Sequence, residues 1–196
     1  MNTILQTALD LTELSRAMQI AREAVLGGTD WIEAGTPLIK SEGMNAVREL
    51  AKEFPNHKII ADLKTSDTGG LEVEMAAKAG ADVVCILASA DDAVILDALR
   101  GAALYGVELM ADMMNVADVA GRAKQLADMG VHIINAHVGI DQQMEGKNPL
   151  DILSEISGLG VKVAAAGGLN AQTAAAAAAA GADIVIVGAG IVKAAD

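Results

Sequence analysis

The chain has 196 residues, of which 53% are hydrophobic and only 2% aromatic, which is enough for one domain with an aliphatic core. The formal net charge is −12, and the sequence contains no cluster of lysine or arginine. Both observations argue against nucleic acid or an anionic membrane surface as a partner. The single cysteine forms no intrachain disulfide and no signal peptide is visible, so we expect a cytoplasmic protein.

Eight apolar segments alternate with segments of helical periodicity along the chain. The predicted strands span residues 3–10, 30–35, 58–65, 82–89, 107–114, 131–138, 161–166 and 183–187. The predicted helices span residues 13–26, 44–54, 71–79, 92–105, 118–129, 149–156 and 171–180. A last helix would begin at residue 191 and remains unfinished at residue 196.

A short repeated pattern supports this division. Four helices are followed by a glycine-containing turn into the next strand, at residues 27–30, 79–82, 129–132 and 180–183. Eight β/α units at this length predict an α/β fold, a single (β/α)₈ TIM barrel domain over residues 1–196 with a short or missing eighth helix. An open doubly wound sheet is the alternative, but the turn after the first strand lacks its Gly-x-Gly-x-x-Gly loop.

Charged and polar side chains follow the predicted strands at their carboxyl ends, which meet at one rim of a barrel. Asp62 and Lys64 are expected to point the same way, because alternate residues of a strand share a face. We therefore predict a functional site at this rim. Its members are Asp10, Glu33, Asp62, Lys64, Ser89, Asp112, His137, Gly167-Gly168 and Gly188-Ala189-Gly190.

The residue types at this rim indicate metal-assisted chemistry. Carboxylates on neighbouring strands, such as Glu33 and Asp62, offer the hard oxygen ligands that Mg²⁺ prefers. Lys64 could stabilise a developing oxyanion, or it could simply balance the charges of Asp62 and Asp67. His137 is a candidate general acid/base, although a single histidine often has only a structural role.

The glycine-rich turns after the seventh and eighth strands favour phosphate binding. Gly167, Gly168, Gly188 and Ala189 would let backbone N–H groups approach a substrate phosphate closely. The polar segment 139–148 is interpreted equally well as a lid over the site and as an ordinary solvated loop.

Residues 61–67, Ala-Asp-Leu-Lys-Thr-Ser-Asp, resemble the Asp-x-Lys-x-x-Asp motif of the orotidine-monophosphate decarboxylase suprafamily. Supporting stretches are Ala-Leu-Asp at 8–10, Trp-Ile-Glu-Ala-Gly-Thr-Pro at 31–37, His-Val-Gly-Ile-Asp at 137–141 and Ala-Gly-Gly at 166–168. The match covers nearly the whole chain. Within the suprafamily the chain is most similar to the 3-hexulose-6-phosphate synthase branch, especially its archaeal-type forms.

The resemblance implies an aldehyde-lyase of the ribulose monophosphate pathway that uses Mg²⁺. The reaction implied is reversible aldol condensation of formaldehyde with D-ribulose 5-phosphate, a sugar phosphate, to D-arabino-hex-3-ulose 6-phosphate through a cis-enediolate. By the motif match, Glu33 and Asp62 bind the metal, Lys64 lies near the enediolate and His137 is the acid/base.

The resemblance further implies a homodimer. Asp67 matches an aspartate that reaches into the partner subunit's site, and Asp10 matches a substrate-binding aspartate. Asp112 lies on the same rim, and we assign it to substrate binding as well.

Two other functions remain open at this point. A 3-keto-L-gulonate-6-phosphate decarboxylase would form the same enediolate by losing CO₂, but that branch has arginines at the positions of Ile140 and Ala189. A non-catalytic barrel, acting as one half of a fusion protein, would not need the charged rim residues, which are costly to bury without a use.

Overall fold

A computed structural model describes residues 3–194 as a closed parallel barrel in which each strand pairs with the next and β8 pairs with β1. The strands are β1 Ile4–Leu9, β2 Trp31–Ala34, β3 Lys58–Thr65, β4 Val83–Leu87, β5 Glu108–Asp112, β6 Ile133–His137, β7 Lys162–Ala166 and β8 Ile184–Val187. The helices are α1 Leu14–Leu26, α2 Thr36–Glu42, α3 Asn45–Glu53, α4 Gly69–Ala79, α5 Asp92–Tyr105, α6 Val119–Met129, α7 Ile140–Gln143, α8 Pro149–Ile156, α9 Ala171–Ala179 and α10 Ala189–Val192.

The predicted (β/α)₈ barrel is confirmed, and the open doubly wound sheet is wrong because the sheet closes on itself. Strands of such a barrel are buried on both faces, so they read as continuous apolar runs. One face packs against the helices in the larger hydrophobic cluster, and the other fills the barrel interior in a smaller cluster. None of the helices within the described residues is long and apolar enough to cross a bilayer.

The repeated glycine turns adopt the left-handed conformation that the sequence predicted for helix ends. Gly28, Gly80, Gly130 and Gly181 have φ values of 95°, 101°, 96° and 102°, in the left-handed region that residues with a Cβ rarely adopt. At these turns the chain leaves a helix and re-enters the barrel.

The N-terminal end of the barrel is closed. Trp31 is buried there, with Lys58 Nζ 5.1 Å and Lys162 Nζ 6.0 Å from its ring centroid. Glu108 bridges the two lysines through contacts of 2.5 and 2.9 Å. A buried indole capped by paired charges leaves the opposite rim as the place for a site.

Helices differ from the prediction at several places. Helix α2 was not predicted, although Pro37 in its first turn is a helix-start signal. Helix α4 begins two residues earlier than expected, at Gly69. The last helix, α10, is only four residues long, which confirms the short eighth helix; residues 195–196 of the expected segment lie outside the described residues.

Helix α9 packs lightly against the barrel. Its sequence is AQTAAAAAA, so every residue except Gln172 has a short side chain, and only Ala177 is buried. Its N-terminus is capped by Asn170, whose side chain accepts hydrogen bonds from the N–H groups of Gln172 and Thr173. This cap places the start of α9 directly after the turn that follows β7.

Candidate active site

A cavity of about 690 Å³ opens at the C-terminal rim of the barrel. The predicted rim residues that line it are Asp10, Glu33, Asp62, Lys64, Asp112, His137, Gly167, Gly168, Gly188, Ala189 and Gly190. Parallel strands bring their carboxyl ends to one edge, and this places residues from distant parts of the chain around a single space. Asp67 and Ser89 are not among the lining residues.

Lys64 stands between two carboxylates at the centre of the cavity wall. Its Nζ lies 3.0 Å from Asp62 Oδ2 and 2.9 Å from Asp112 Oδ2. Burial alone would lower the pKa of Lys64, but the negative charges of Asp62 and Asp112 outweigh it and raise that pKa above its usual range. Lys64 is therefore a fixed ammonium group, suited to hold a developing negative charge on a ligand oxygen.

The end of β3 departs from regular strand geometry. Pairing with β4 shifts between Asp62 and Thr65, and Lys64 has φ 50°. This left-handed conformation is unfavourable for a residue with a Cβ. Asp62 and Lys64 do line the same cavity, as simple alternation predicted. They reach it through a β-bulge, however, and the backbone strain of this bulge lies at Lys64 itself.

Asp112 orients His137. Asp112 Oδ2 lies 2.7 Å from His137 Nδ1, and Asp112 Oδ1 accepts a hydrogen bond of 2.9 Å from the N–H of Met114. Burial opposes ionisation of Asp112, but the hydrogen bond and charge of His137, together with Lys64, lower its pKa to about 2. The ionised carboxylate accepts from Nδ1, so Nε2 is the ring nitrogen left to exchange a proton with a ligand.

Glu33 is a buried carboxylate without a cationic contact among the described residues. It is 5% exposed, and its Oε2 accepts a 2.5 Å hydrogen bond from Gln6 Nε2. Burial raises the pKa of Glu33 well above its usual range, and the charges of Asp62 and Asp10 raise it further. Burial also raises the pKa of Asp10, again with a contribution from Asp62. This side of the cavity thus carries an excess of negative charge.

That excess fits a divalent cation. Within residues 3–194, no group of three or more His, Cys, Asp or Glu side chains is arranged to hold a metal by itself. Glu33 and Asp62 supply two carboxylates, and Mg²⁺ is commonly bound by one or two carboxylates with ligand oxygens and water completing the octahedron. The donor set therefore suits Mg²⁺ better than zinc, which prefers nitrogen and sulfur ligands.

The turns after β7 and β8 offer backbone donors to the cavity. Within the described chain, the N–H groups of Gly168, Ala189 and Gly190 make no hydrogen bond. Gly167 has φ 112°, and a Cβ there would lie 2.3 Å from the carbonyl oxygen of Val138, so only glycine fits this turn. Free N–H groups on a close-approaching backbone are suited to a phosphate.

Two predicted residues lie outside the cavity. Asp67 is exposed, and its Oδ1 accepts a 2.8 Å hydrogen bond from the N–H of Thr68. Ser89 was expected at the same rim, but it is exposed and lines a separate cleft beside Arg122. The strand β4 ends at Leu87, so Ser89 belongs to the turn that follows it.

The segment after β6 forms part of the cavity wall. It contains the short helix α7, and Gln143 Nε2 donates a 2.8 Å hydrogen bond to the carbonyl of Val138. Gly139, Ile140 and Gln143 all line the cavity. Residues 144–148 are exposed, and the interpretations of the segment as a lid and as an ordinary solvated loop both stay predictions.

Sequence reasoning missed three polar residues of the site. Thr36 Oγ1 donates a 2.8 Å hydrogen bond to Asp62 Oδ2 and so orients that carboxylate. Gln6 contacts Glu33, and Asn135 lines the cavity floor. Gln6 and Asn135 could have been found as polar residues at inward-facing positions of otherwise apolar strands.

Comparison with known proteins agrees with this architecture. A model of the family described as "Orotidine 5'-phosphate decarboxylase / HUMPS family" matches residues 3–196. The 3-hexulose-6-phosphate synthase of Bacillus subtilis (strain 168) is 41% identical over 194 residues, which cover 98% of this chain and 92% of that protein.

Solved structures from two branches share the fold. The 3-hexulose-6-phosphate synthase from Salmonella typhimurium superimposes with a TM-score of 0.93 and 35% identity, covering 99% of this chain and 92% of that one. The 3-keto-L-gulonate-6-phosphate decarboxylase from Vibrio cholerae gives a TM-score of 0.84 and 30% identity, covering 96% and 89%. The relatives named here are bacterial, so a special likeness to archaeal-type forms stays a prediction. The chain belongs to the orotidine 5'-phosphate decarboxylase / HUMPS family.

Proposed function

We propose that this protein is an aldehyde-lyase that catalyses the reversible aldol addition of formaldehyde to D-ribulose 5-phosphate. The product of the forward reaction is D-arabino-hex-3-ulose 6-phosphate. The observation that carries this proposal is the connected set of Lys64, Asp112 and His137 in the cavity, which joins a fixed cation to an oriented acid/base. Identity of 41% with a synthase over nearly the whole chain supports the same reaction.

In the proposed binding mode, the pentulose phosphate spans the cavity. Its phosphate accepts hydrogen bonds from the free N–H groups of Gly168, Ala189 and Gly190. Its C1 and C2 then lie towards Lys64 and His137, and Asp10 is placed to bind a sugar hydroxyl.

The first chemical step in this proposal is proton removal. His137 Nε2 takes a proton from C1, and the imidazolium that forms is stabilised by Asp112. The ammonium group of Lys64 stabilises the oxygen of the cis-enediolate. When bound by Glu33 and Asp62, Mg²⁺ supplies further positive charge to the enediolate oxygens. C1 then attacks the carbon of formaldehyde, and His137 returns the proton to the new hydroxyl group.

The decarboxylase reaction is the second candidate, because a decarboxylase shares this fold. It is disfavoured by the two positions where that branch has arginines. Ile140 is 70% exposed on α7, and Ala189 starts α10 in the turn that would hold the phosphate. Neither side chain can supply the cation that the decarboxylase branch would place there.

The function is tested by incubating the protein with ribulose 5-phosphate, formaldehyde and Mg²⁺ and following the mixture by ¹H NMR. A hexulose phosphate signal that disappears with EDTA is the expected result. Deuterium exchange at C1 without condensation would indicate enediolate chemistry with another electrophile, as in the decarboxylase branch. Absence of both signals would leave a non-catalytic barrel.

Replacement of Glu33 by Gln is expected to stabilise the metal-free protein. An acid whose folded pKa is raised keeps its proton in the folded state, so folding loses stability as pH rises from the ordinary value of 4.5 through the raised folded value. At pH 8 without divalent cation, the variant should gain about 1–3 kcal/mol in the free energy of unfolding. Urea denaturation in EDTA measures this difference.

The same variant tests the metal site without an activity assay. Mg²⁺ should stabilise the unaltered protein, more strongly at pH 8 than at pH 5, and should do little for Glu33→Gln. Exposed Glu155 provides a matched control, since Glu155→Gln should behave as the unaltered protein does. Equal stabilisation of Glu33→Gln and the unaltered protein by Mg²⁺ would show that Glu33 is not a ligand.

A homodimer with shared sites is also part of this proposal. Asp67 faces solvent beside the cavity-lining strand rather than into its own cavity, and Leu71 and Met75 on the following helix are 57% and 46% exposed. An acidic side chain next to exposed apolar residues suits a position at a subunit interface, with Asp67 reaching the partner's substrate.

Mixing two inactive variants tests the shared site. If Asp67 acts in the partner's site, Lys64→Ala and Asp67→Ala subunits that reassort should form heterodimers with one intact site. Activity should then recover to about a quarter of the unaltered value, because about half of the dimers are mixed and half of their sites are intact. Full activity of Asp67→Ala alone, or no recovery despite demonstrated exchange of subunits, would contradict a shared site.

A further inference from the structure

Each of the two carboxylates proposed to bind the metal has one oxygen held by other side chains and one oxygen left over. Asp62 Oδ2 accepts a 2.8 Å hydrogen bond from Thr36 Oγ1 and lies 3.0 Å from Lys64 Nζ. These two donors fill both acceptor positions of that oxygen. Among the described residues, Asp62 Oδ1 has a single long contact, 3.3 Å from Lys64 Nζ, so it is the oxygen left for a cation.

Glu33 has the same arrangement on the neighbouring strand. Its Oε2 accepts a 2.5 Å hydrogen bond from Gln6 Nε2, and within the described chain its Oε1 accepts none. Gln6 is 0% exposed on β1, so the packed interior of the barrel holds this donor in place. Glu33 lines the cavity, and Oε1 is therefore its oxygen left for a cation.

The start of α2 sets the position of Thr36. This residue is the first of the helix, directly after Gly35, and it lines the cavity. Its hydroxyl oxygen lies 2.9 Å from the backbone carbonyl oxygen of Asp62 as well as close to the carboxylate. Thr36 thus ties both the main chain and the side chain of Asp62, and Oδ2 cannot turn towards a cation without losing this contact.

Divalent cations differ in how they use carboxylates. Ca²⁺ takes about six to eight oxygen ligands and often both oxygens of one carboxylate, whereas Mg²⁺ takes an octahedral shell that keeps several waters. One oxygen from each of two carboxylates suits Mg²⁺ and leaves Ca²⁺ short of protein ligands. The ammonium group of Lys64 beside Oδ2 also repels a cation from that edge of Asp62.

We infer that Thr36 and Gln6 are positioning residues that select Mg²⁺ against Ca²⁺. Each limits its carboxylate, that of Asp62 or Glu33, to one oxygen that faces the metal. This inference rests on the metal site of the proposed function and adds what decides which cation enters it. Neither positioning residue needs to touch the cation, because each acts through the carboxylate that it holds.

Thr36→Val removes the hydroxyl with little change in volume and tests the selection in the substrate-free protein. Thermal unfolding is followed while MgCl₂ or CaCl₂ is titrated at constant ionic strength, and the rise in melting temperature gives a dissociation constant for each cation. Loss of a group that orients a metal ligand costs about 10- to 100-fold in affinity, and we expect this loss for Mg²⁺. The affinity for Ca²⁺ should be unchanged or higher, because Oδ2 becomes available to it. The preference for Mg²⁺ over Ca²⁺ should therefore fall by at least about tenfold.

Three further variants complete the test. Thr36→Ser keeps the hydroxyl and should keep the preference, and Thr3→Val, at an exposed position before β1, should leave it unchanged. Gln6→Met removes the donor to Glu33 and should lower the preference in the same direction as Thr36→Val, even where the latter folds poorly.

A structural role alone would weaken both cations in parallel. Parallel loss, or an unchanged ratio of the two dissociation constants in folded Thr36→Val and Gln6→Met proteins, would overturn the inference. An unaltered protein that Mg²⁺ stabilises no better than Ca²⁺ would overturn it as well. The measurement needs no turnover, so failure of the condensation assay in a protein that still selects Mg²⁺ would overturn the proposed function alone.

Discussion

Replacing Lys64 by Met is expected to lower kcat/KM for condensation by about 10³-fold, the effect of removing a donor aimed at a developing oxyanion. The same change should abolish deuterium exchange at C1, because the enediolate forms in both reactions. Met fills a similar volume, so the loss would come from the charge. The ¹H NMR assay measures both reactions in one sample.

Lys64→Met also removes the cation between Asp62 and Asp112, which lie within 3.0 Å of it. Breaking a buried ion pair in this way costs about 3–5 kcal/mol of stability. Lys64→Arg therefore serves as the second variant, because it keeps the charge and the fold while its planar group cannot reproduce the ammonium geometry. We expect it to fold normally and still lose activity.

The matched control is Lys52→Met, since Lys52 is exposed in the last turn of α3 and does not line the cavity. It should retain full activity. Near-normal C1 exchange in a folded Lys64→Met protein would show that the ammonium group is not required for the enediolate, and the proposed mechanism would fail.

Asp112→Asn is expected to reduce kcat for condensation by about 10³-fold, with little change in the KM for pentulose phosphate. The amide can present N–H to His137 Nδ1, so the imidazole would carry its proton on Nε2 and could no longer accept one from C1. The isotope exchange rate should fall in parallel. A rate that stays normal would show that the 2.7 Å contact between Asp112 and His137 has no role in proton transfer.

The variant should also lose stability near neutral pH. A folded pKa of about 2, against an ordinary 3.8, stabilises the protein above pH 3.8, and this contribution is lost as pH falls through the folded value. Its size is about 2 kcal/mol. The unaltered protein should therefore exceed Asp112→Asn in stability at pH 7, and the gap should close near pH 2. Asp151→Asn, at an exposed position of α8, controls for loss of charge.

The barrel could be predicted from hydrophobic periodicity because the strands are buried on both faces and the glycine turns recur. Periodicity does not predict the local backbone geometry of a strand. Alternation along β3 placed Asp62 and Lys64 on one face, and they do share the cavity, but through a bulge at Lys64 that no periodic pattern signals. Helix α2 was missed for another reason, since residues 36–43, between the predicted strand 30–35 and the predicted helix 44–54, were assigned to no element.

The site was predicted where charged residues or glycine turns follow the strands, and it was missed where neutral polar side chains lie inside strands. Carboxylates at strand ends are unusual enough to be noticed one at a time. Asn135 and Gln6 lie inside strands, and their importance depends on which partners they lack or have in three dimensions. Ser89 was misplaced by overextending β4 by two residues, which changes the direction of a side chain at a strand end.

The light packing of α9 has a consequence for how the molecule opens. With Ala177 as its one buried residue, this helix has little apolar surface to hold it, so its amides should exchange with solvent through local openings well below the global unfolding free energy. Its first turn follows the glycine pair proposed to hold the phosphate. Substrate would then hold a loosely packed helix of the barrel, and protection of α9 amides should rise when sugar phosphate binds. The affinity for substrate and the free energy of local opening of α9 would then both report on the contact between the phosphate and the turn before this helix.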